Sequence, residues 1–157
     1  MAVSDTPLPP LTDTPKGLYR HYKGGWYAVV GDARCSETLQ GMTLYLDLGG
    51  ADPGRCWVRP SAMFLERVEM NGQMLPRFTP VDEATLAVTD VVAARAVVAW
   101  LQWRLRDARQ PHRPPPPEPT TCCGRGCNGC VWEGYHQALH HWRADARALL
   151  AAHRPAP

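Results

Sequence analysis

Residues 42–48, MTLYLDL, alternate without a break. Met42, Leu44, Leu46 and Leu48 fall on one side of an extended chain, and Thr43, Tyr45 and Asp47 on the other. A period of two marks a half-buried β-strand, because successive side chains of an extended backbone point to opposite faces. Upstream, GWYAVVGDA (25–33) sets β-branched and aromatic residues between glycines. Downstream, residues 64–78 read FLERVEM-NG-QMLPRF. The Asn71-Gly72 step predicts a type I′ hairpin, since both central residues of that turn need positive φ. Short strands this close together predict a small, mostly antiparallel domain over 17–79, curled as an SH3-like β barrel.

The period then changes. Residues 83–109 are rich in Ala, Val, Leu and Arg, with no Pro or Gly. Val92, Ala96, Ala99, Trp103 and Leu105 recur at helical spacing, and Asp90 is placed to cap the helix. Trp100 and Trp103 need a surface to cover, and the β barrel is the expected one. QPHRPPPPEPTT (110–121) ends the helix. Four consecutive prolines, Pro114–Pro117, favour polyproline II and read as a stiff linker, with an SH3-type ligand as the other reading. A last helix follows in the Cys-rich tail, 122–152. Val131, Tyr135, Ala138, Leu139, Trp142, Ala146, Leu149 and Leu150 form its apolar stripe, and Glu133, His136, His140, Arg143 and Arg147 its polar side. Residues 1–16, rich in Pro and Thr, are expected to be disordered. The whole is an α+β chain: a β barrel with a packed helix over 80–109, a Pro-rich linker, and a Cys-rich helical tail.

Composition narrows the partners. The chain has 157 residues, 45% apolar and 20% charged, enough for a core. A net charge of +2 does not by itself indicate nucleic acid or a membrane. MAVSDTPLPPLTDTP has no basic segment followed by an apolar one, so no secretory signal is expected. No apolar run approaches the roughly 18 residues of a membrane span. The expected compartment is a reducing cytoplasm, where clustered cysteines are metal ligands or redox groups rather than structural disulfides.

Both halves carry family resemblances. LYRHYKGGWYAVVGDARCSET (18–38) and CWVRPSAMFLERVEMNGQMLPRF (56–78) resemble the bacterial domain-of-unknown-function family 1653. That resemblance implies a compact β domain and no particular activity. Cys35 stands where the family pattern has His before Ser-Glu-Thr. PPPPEPTTCCGRGCNGCVWEGY (114–135) resembles the oxidoreductase-like domain family, through its proline-rich lead-in, Cys-Cys, Cys-x-x-Cys and Val-Trp. That family title does not by itself imply oxidoreductase chemistry.

The cysteines carry the sharpest chemical signal. Cys122, Cys123, Cys127 and Cys130 follow a Cys-Cys-x3-Cys-x2-Cys pattern, and the last two lie on a turn that lets two sulfurs converge on one ion. Ligation needs thiolates. A helix starting near Val131 would favour them with its N-terminus, and Arg125 adds a positive charge. Zinc and an iron–sulfur cluster both accept all-sulfur ligation, and zinc is favoured here. Redox-active thiols are the competing reading. Cys123-x3-Cys127-x2-Cys130 also matches radical S-adenosylmethionine spacing, but the chain has no room for the large barrel such enzymes need. Cys35 and Cys56 read as small buried apolar residues.

LYRHYKGGWY gathers aromatics and cations. Tyr19, Arg20, His21, Tyr22, Lys23 and Glu37, with Trp57 and Arg59 from a later strand, form the candidate ligand-binding set, for a protein partner or a small anionic ligand. The competing reading has the aromatics filling a small barrel, with Arg20 and Lys23 paired to Glu37 or Asp32. No catalytic triad, paired-carboxylate signature or dinucleotide fingerprint appears, and no catalytic residue is assigned. The expected function is non-enzymatic binding or adaptor work with a cysteine-held metal. The alternative is an accessory redox protein with an iron–sulfur cluster or reactive thiols.

Overall fold

Trp26–Arg34 is the strand on which the first half of the chain is built. The computed structural model describes residues 7–8, 10–49, 54–121 and 130–153. The chain divides into two compact units, Met1–Leu86 and Ala87–Pro157. The first holds β1 (Gly17–His21), β2 (Trp26–Arg34), β3 (Gly41–Asp47), β4 (Cys56–Pro60), the one-turn helix α1 (Ser61–Leu65), β5 (Arg67–Met70), β6 (Gln73–Pro76) and β7 (Phe78–Val81). The second holds α2 (Val91–Asp107) and α3 (Val131–Ala152). No helix among the described residues is long and apolar enough to cross a membrane.

Five antiparallel strands form one sheet in the order β4-β3-β2-β1-β7. The expected SH3-like barrel is therefore an open sheet. β5 and β6 pair only with each other, so no described strand joins the outer strands β4 and β7. The β5–β6 turn is as the sequence predicts, with Asn71 at φ 52° and Gly72 at φ 77°. Phe64 and Leu65, however, belong to α1 and not to the strand that follows.

The faces of β3 are not partitioned as its alternation suggests. Thr43 and Tyr45, on the side that reads as polar, are buried. Tyr45 joins Tyr19, Val29, Phe64 and Phe78 in one core cluster. Phe64 stacks flat on Phe78, ring centroids 4.0 Å apart, and meets Tyr19 edge-on at 5.5 Å. Leu18, Trp26, Ala28 and Leu46, on the opposite side of the sheet, are buried as well. A strand covered on both faces has no solvent side to display, so alternation cannot report one.

The N-terminal segment is tied down where disorder was expected. Thr14 is buried; its hydroxyl lies 2.9 Å from that of Thr43, which donates to Ser61 at 3.0 Å. The Tyr19 hydroxyl donates to the Pro15 carbonyl at 2.9 Å. Three buried hydroxyls that satisfy one another remove the desolvation cost each would carry alone.

In the second unit, Asp90 caps α2 as expected, accepting from the Ala93 N–H at 2.8 Å. Within this unit α2 packs with α3. α3 buries Tyr135, Leu139, Trp142 and Ala146, as its stripe predicts, and also Arg143, which reads as polar-side. Val131 and Ala138 of the stripe are exposed. The Pro-rich segment is not a free spacer. The Arg113 carbonyl accepts from Trp142 Nε1–H at 3.0 Å, and the Arg113 guanidinium pairs with Asp145. Glu118 takes a two-pronged bond from Arg95 of α2, at 2.8 and 2.6 Å. Polyproline II makes no internal hydrogen bonds, which leaves its carbonyls for neighbours.

The aromatic stack sets a stability expectation. Phe64→Ala removes a fully buried ring and should lower unfolding free energy by about 3–5 kcal/mol. Met63→Ala, one position away and 44% exposed, should stay within about 0.5 kcal/mol of the parent. Denaturant titration of the two variants measures both.

Candidate functional site

The β1–β2 turn is where backbone geometry begins to build a site. His21 N–H donates to the Gly25 carbonyl at 2.9 Å, and Gly24, at φ 92°, donates back to His21 at 2.7 Å. A Cβ at Gly25 would sit 2.9 Å from the Tyr27 ring, so glycine there lets the ring lie against the turn. The His21 ring is then packed against Tyr22 at 4.5 Å, Phe78 at 4.8 Å and Tyr27 at 6.0 Å.

Antiparallel register extends this face across the sheet. Tyr19 lies opposite Tyr27, Val29 opposite Tyr45, Tyr45 opposite Trp57, and Thr43 opposite Arg59. Directly opposed residues share a face. His21, Tyr27, Tyr45, Trp57 and Arg59 therefore lie on one side of the sheet. Tyr27 meets Tyr45 at 5.7 Å, and Arg59 Nε lies 3.5 Å from the Tyr45 hydroxyl. Arg77, just before β7, arrives from the other edge. Its carbonyl accepts from Tyr22 N–H at 3.0 Å, and its guanidinium is paired with Glu66.

The protonation of this face is consistent with its charges. Lys23 N–H donates to His21 Nδ1 at 3.3 Å, which leaves the proton of the neutral ring on Nε2. Burial, then the charges of Arg77, Arg59 and Lys23, hold the imidazole pKa below the usual histidine value. The Tyr27 phenol is pushed up, by burial first and then by Asp47 and Tyr45, with Arg59 opposing. The Tyr19 phenol is raised by burial and by Asp13. Arg59 has no carboxylate partner among the described residues, and His21 Nε2 has no hydrogen-bond partner among them.

The eight candidate residues of the β domain separate into four groups. His21, Tyr22, Lys23, Trp57 and Arg59 are at or beside this face, Trp57 half exposed on the outer strand. Tyr19 is in the core, its ring and hydroxyl both engaged. Arg20 points to the other side, over the Trp26 ring at 4.9 Å, so the expected pairing with Glu37 or Asp32 is replaced by a cation–π contact. Glu37 lies in the β2–β3 turn, the whole length of β2 away from His21. Cys35 lies in that turn too, which separates it from His21. It is half-buried, and its thiol is lowered by hydrogen bonds from the Thr38 side chain, then from the backbone of Thr38 and Glu37. Cys56 is exposed on the edge strand, not buried. The aromatic–basic stretch 18–27 already contained Tyr27, but Tyr45 and Arg77 were not singled out as members of the face. The register that pairs Tyr45 with Trp57 is the missing link, and it is set by strand order.

Of the cysteine cluster, Cys122, Cys123 and Cys127 lie outside the described residues. Cys130 is half-buried at the N-cap of α3, where its side chain makes no capping bond and its carbonyl accepts from Glu133 N–H at 3.0 Å. His136 sits between Trp132 and Tyr135, with Nδ1 buried and without a partner among the described residues. No three potential metal ligands converge among the described residues.

An open antiparallel sheet with an aromatic–cationic face, followed in the chain by a helical unit led in by prolines and cysteines, defines a two-module protein. Residues 17–80 match the family described as Protein of unknown function (DUF1653), and residues 109–151 the one described as Oxidoreductase-like protein, N-terminal. The first unit is thus similar to the DUF1653 family and the second to the oxidoreductase-like N-terminal domain. A crystal structure of a DUF1653 protein from Bordetella bronchiseptica is 33% identical, with a TM-score of 0.41, over 44% of this chain and 88% of that one. A Homo sapiens protein described as NADH-cytochrome b5 reductase-like is 41% identical over 46 residues, 29% of this chain. The chain spans only 12% of that relative's length.

The histidine gives a pH expectation with a definite sign. Its folded pKa is lowered, so the unfolded chain takes up a proton first as pH falls. The stability tied to neutral His21 is complete above the ordinary histidine pKa of about 6.5 and declines as pH falls toward the folded value. Arg59→Gln should move the imidazole titration part of the way back up, because burial remains the larger cause. Histidine NMR titration of the two proteins reads the shift directly.

Proposed function

We propose that the chain is a non-enzymatic binding or adaptor protein. Its β unit is a ligand-binding domain, and its cysteines hold a metal that braces the second unit. The observation that carries the first part is the β-sheet face on which Arg59 and His21 keep donors without acceptors among the described residues. Half-buried donors with no internal acceptor suit a ligand that brings one.

Cys122, Cys123, Cys127 and Cys130 are the proposed ligands, for zinc in preference to an iron–sulfur cluster. The donor set fits: four sulfurs suit either group, and the α3 N-terminus beside Cys130 favours thiolate. Bound there, the metal would supply a cross-link between the docked Pro-rich segment and α3. α3 also rests on α2, so it is less dependent on metal for its fold than an isolated tail would be. The second reading is an accessory redox protein. The 46-residue likeness to the reductase-like protein favours it.

One preparation separates the two readings. Colourless protein purified without oxygen, with about one zinc per chain, supports the adaptor. Brown, oxygen-sensitive protein with iron and sulfide supports the redox reading. Serine variants then rank the sulfurs. Cys127→Ser and Cys130→Ser should abolish metal retention, Cys123→Ser should nearly do so, and Cys122→Ser should weaken it least. By sequence, Gly124 and Gly126 would give Cys123 the backbone freedom to share an ion with Cys127 and Cys130, while Cys122 directly follows Thr120-Thr121 of the Pro-rich segment. Full retention in all four variants would end the metal reading.

A further inference from the structure

Resting on the ligand-binding reading of the β unit, the chemistry of its site is narrower than binding in general. We infer that His21, Tyr27 and Arg59, with Arg77 behind them, form a receptor for one oxyanion: a carboxylate or a phosphate monoester on a small ligand.

The geometry runs in an unbroken line. The His21 ring is 6.0 Å from that of Tyr27, Tyr27 is 5.7 Å from Tyr45, and the Tyr45 hydroxyl is 3.5 Å from Arg59 Nε. Every polar group in the line is a donor in its neutral or cationic state. Nδ1 of His21 is already engaged by Lys23, so the N–H that remains is Nε2. The Tyr27 hydroxyl has no partner among the described residues. The nearby carboxylates are already engaged. Glu66 is clasped by Arg77, and Asp47, across from Tyr27, takes the Gly49 N–H at 3.0 Å. The Arg77–Glu66 pair shows what the same surroundings hold when a carboxylate is built in. Arg59 is the matching fork without one. A guanidinium favours two-oxygen acceptors, and a neutral imidazole N–H adds a directed donor without a second full charge. Trp57, on the same face and half exposed beside Arg59, gives an apolar wall for the rest of the ligand.

The test uses the full chain, labelled with ¹⁵N, titrated with sodium phosphate and separately with sodium acetate at pH 7.5 and constant ionic strength. Saturable shifts at the Lys23 amide and the Arg59 side chain are expected, with none at Glu37. Preference between the two salts identifies the oxyanion. Arg59→Gln should weaken binding roughly tenfold or more, Tyr27→Phe about threefold, and Arg20→Gln not at all. No saturable shift with either salt, or unchanged affinity in Arg59→Gln, overturns the proposal. If Arg59→Gln loses its dispersed spectrum, Tyr27→Phe decides, because it keeps the ring and removes only the hydroxyl. Indole serves as the parallel uncharged probe. Saturable shifts at Trp57 with indole and none with the salts would leave the ligand-binding reading standing and remove the oxyanion.

Discussion

The stack of Phe64 on Phe78 is the contact from which the first unit is organised. One ring comes from α1 and the other from β7, and the β5–β6 hairpin lies between them in the chain. The neck of that hairpin is clasped below the stack. Arg77 N–H donates to the Glu66 carbonyl at 2.9 Å, and Arg77 Nε donates to the Glu66 carboxylate at 2.8 Å. An aromatic pair contributes roughly 0.5–1.5 kcal/mol beyond its buried area, and a half-exposed ion pair less. Acting together they seat β7 against β1, which brings Phe78 opposite His21 and Arg77 beside Tyr22. The charged edge of the candidate site is thus positioned by a hydrophobic contact that the next residue in the chain makes.

Local physics was legible where a single residue type decides the outcome. Asn71-Gly72 dictates its hairpin because few residues accept positive φ twice in succession. Asp90 marks the start of α2 and Val131 that of α3, since caps and periodicity act within one turn. What depends on partners distant in sequence was not legible. Tyr45 reads as polar by alternation but lies in the core, because α1 and β7 cover that face. Thr14 reads as part of a disordered arm, but its hydroxyl completes a network with Thr43 and Ser61. Barrel closure failed because the fifth and sixth strands chose each other.

The candidate site divides along the same line. His21 and Lys23 lie in one turn and are recognisable together. Arg59 and Trp57 were singled out by type, Tyr27 came with the aromatic stretch, and Tyr45 and Arg77 needed the strand order to be seen. Arg20, adjacent to His21 in sequence, points to the opposite face because a strand reverses direction at each residue. Proximity in sequence therefore overstates the set in one place and understates it in another.

The docking of the Pro-rich segment bears on thiol chemistry. Arg95 holds Glu118, and α3 begins directly after Cys130, so the cysteine stretch is tethered at both ends to one folded unit. Four cysteines within nine positions of one chain meet intramolecularly and not by bimolecular encounter, and short connections give effective concentrations in roughly the millimolar range. The same closeness in sequence that would serve the proposed metal also speeds thiol–disulfide exchange among the four sulfurs. Exposure to air before metal loading would then divert the stretch into internal disulfides, and the order of reduction and loading would govern what a purified sample contains.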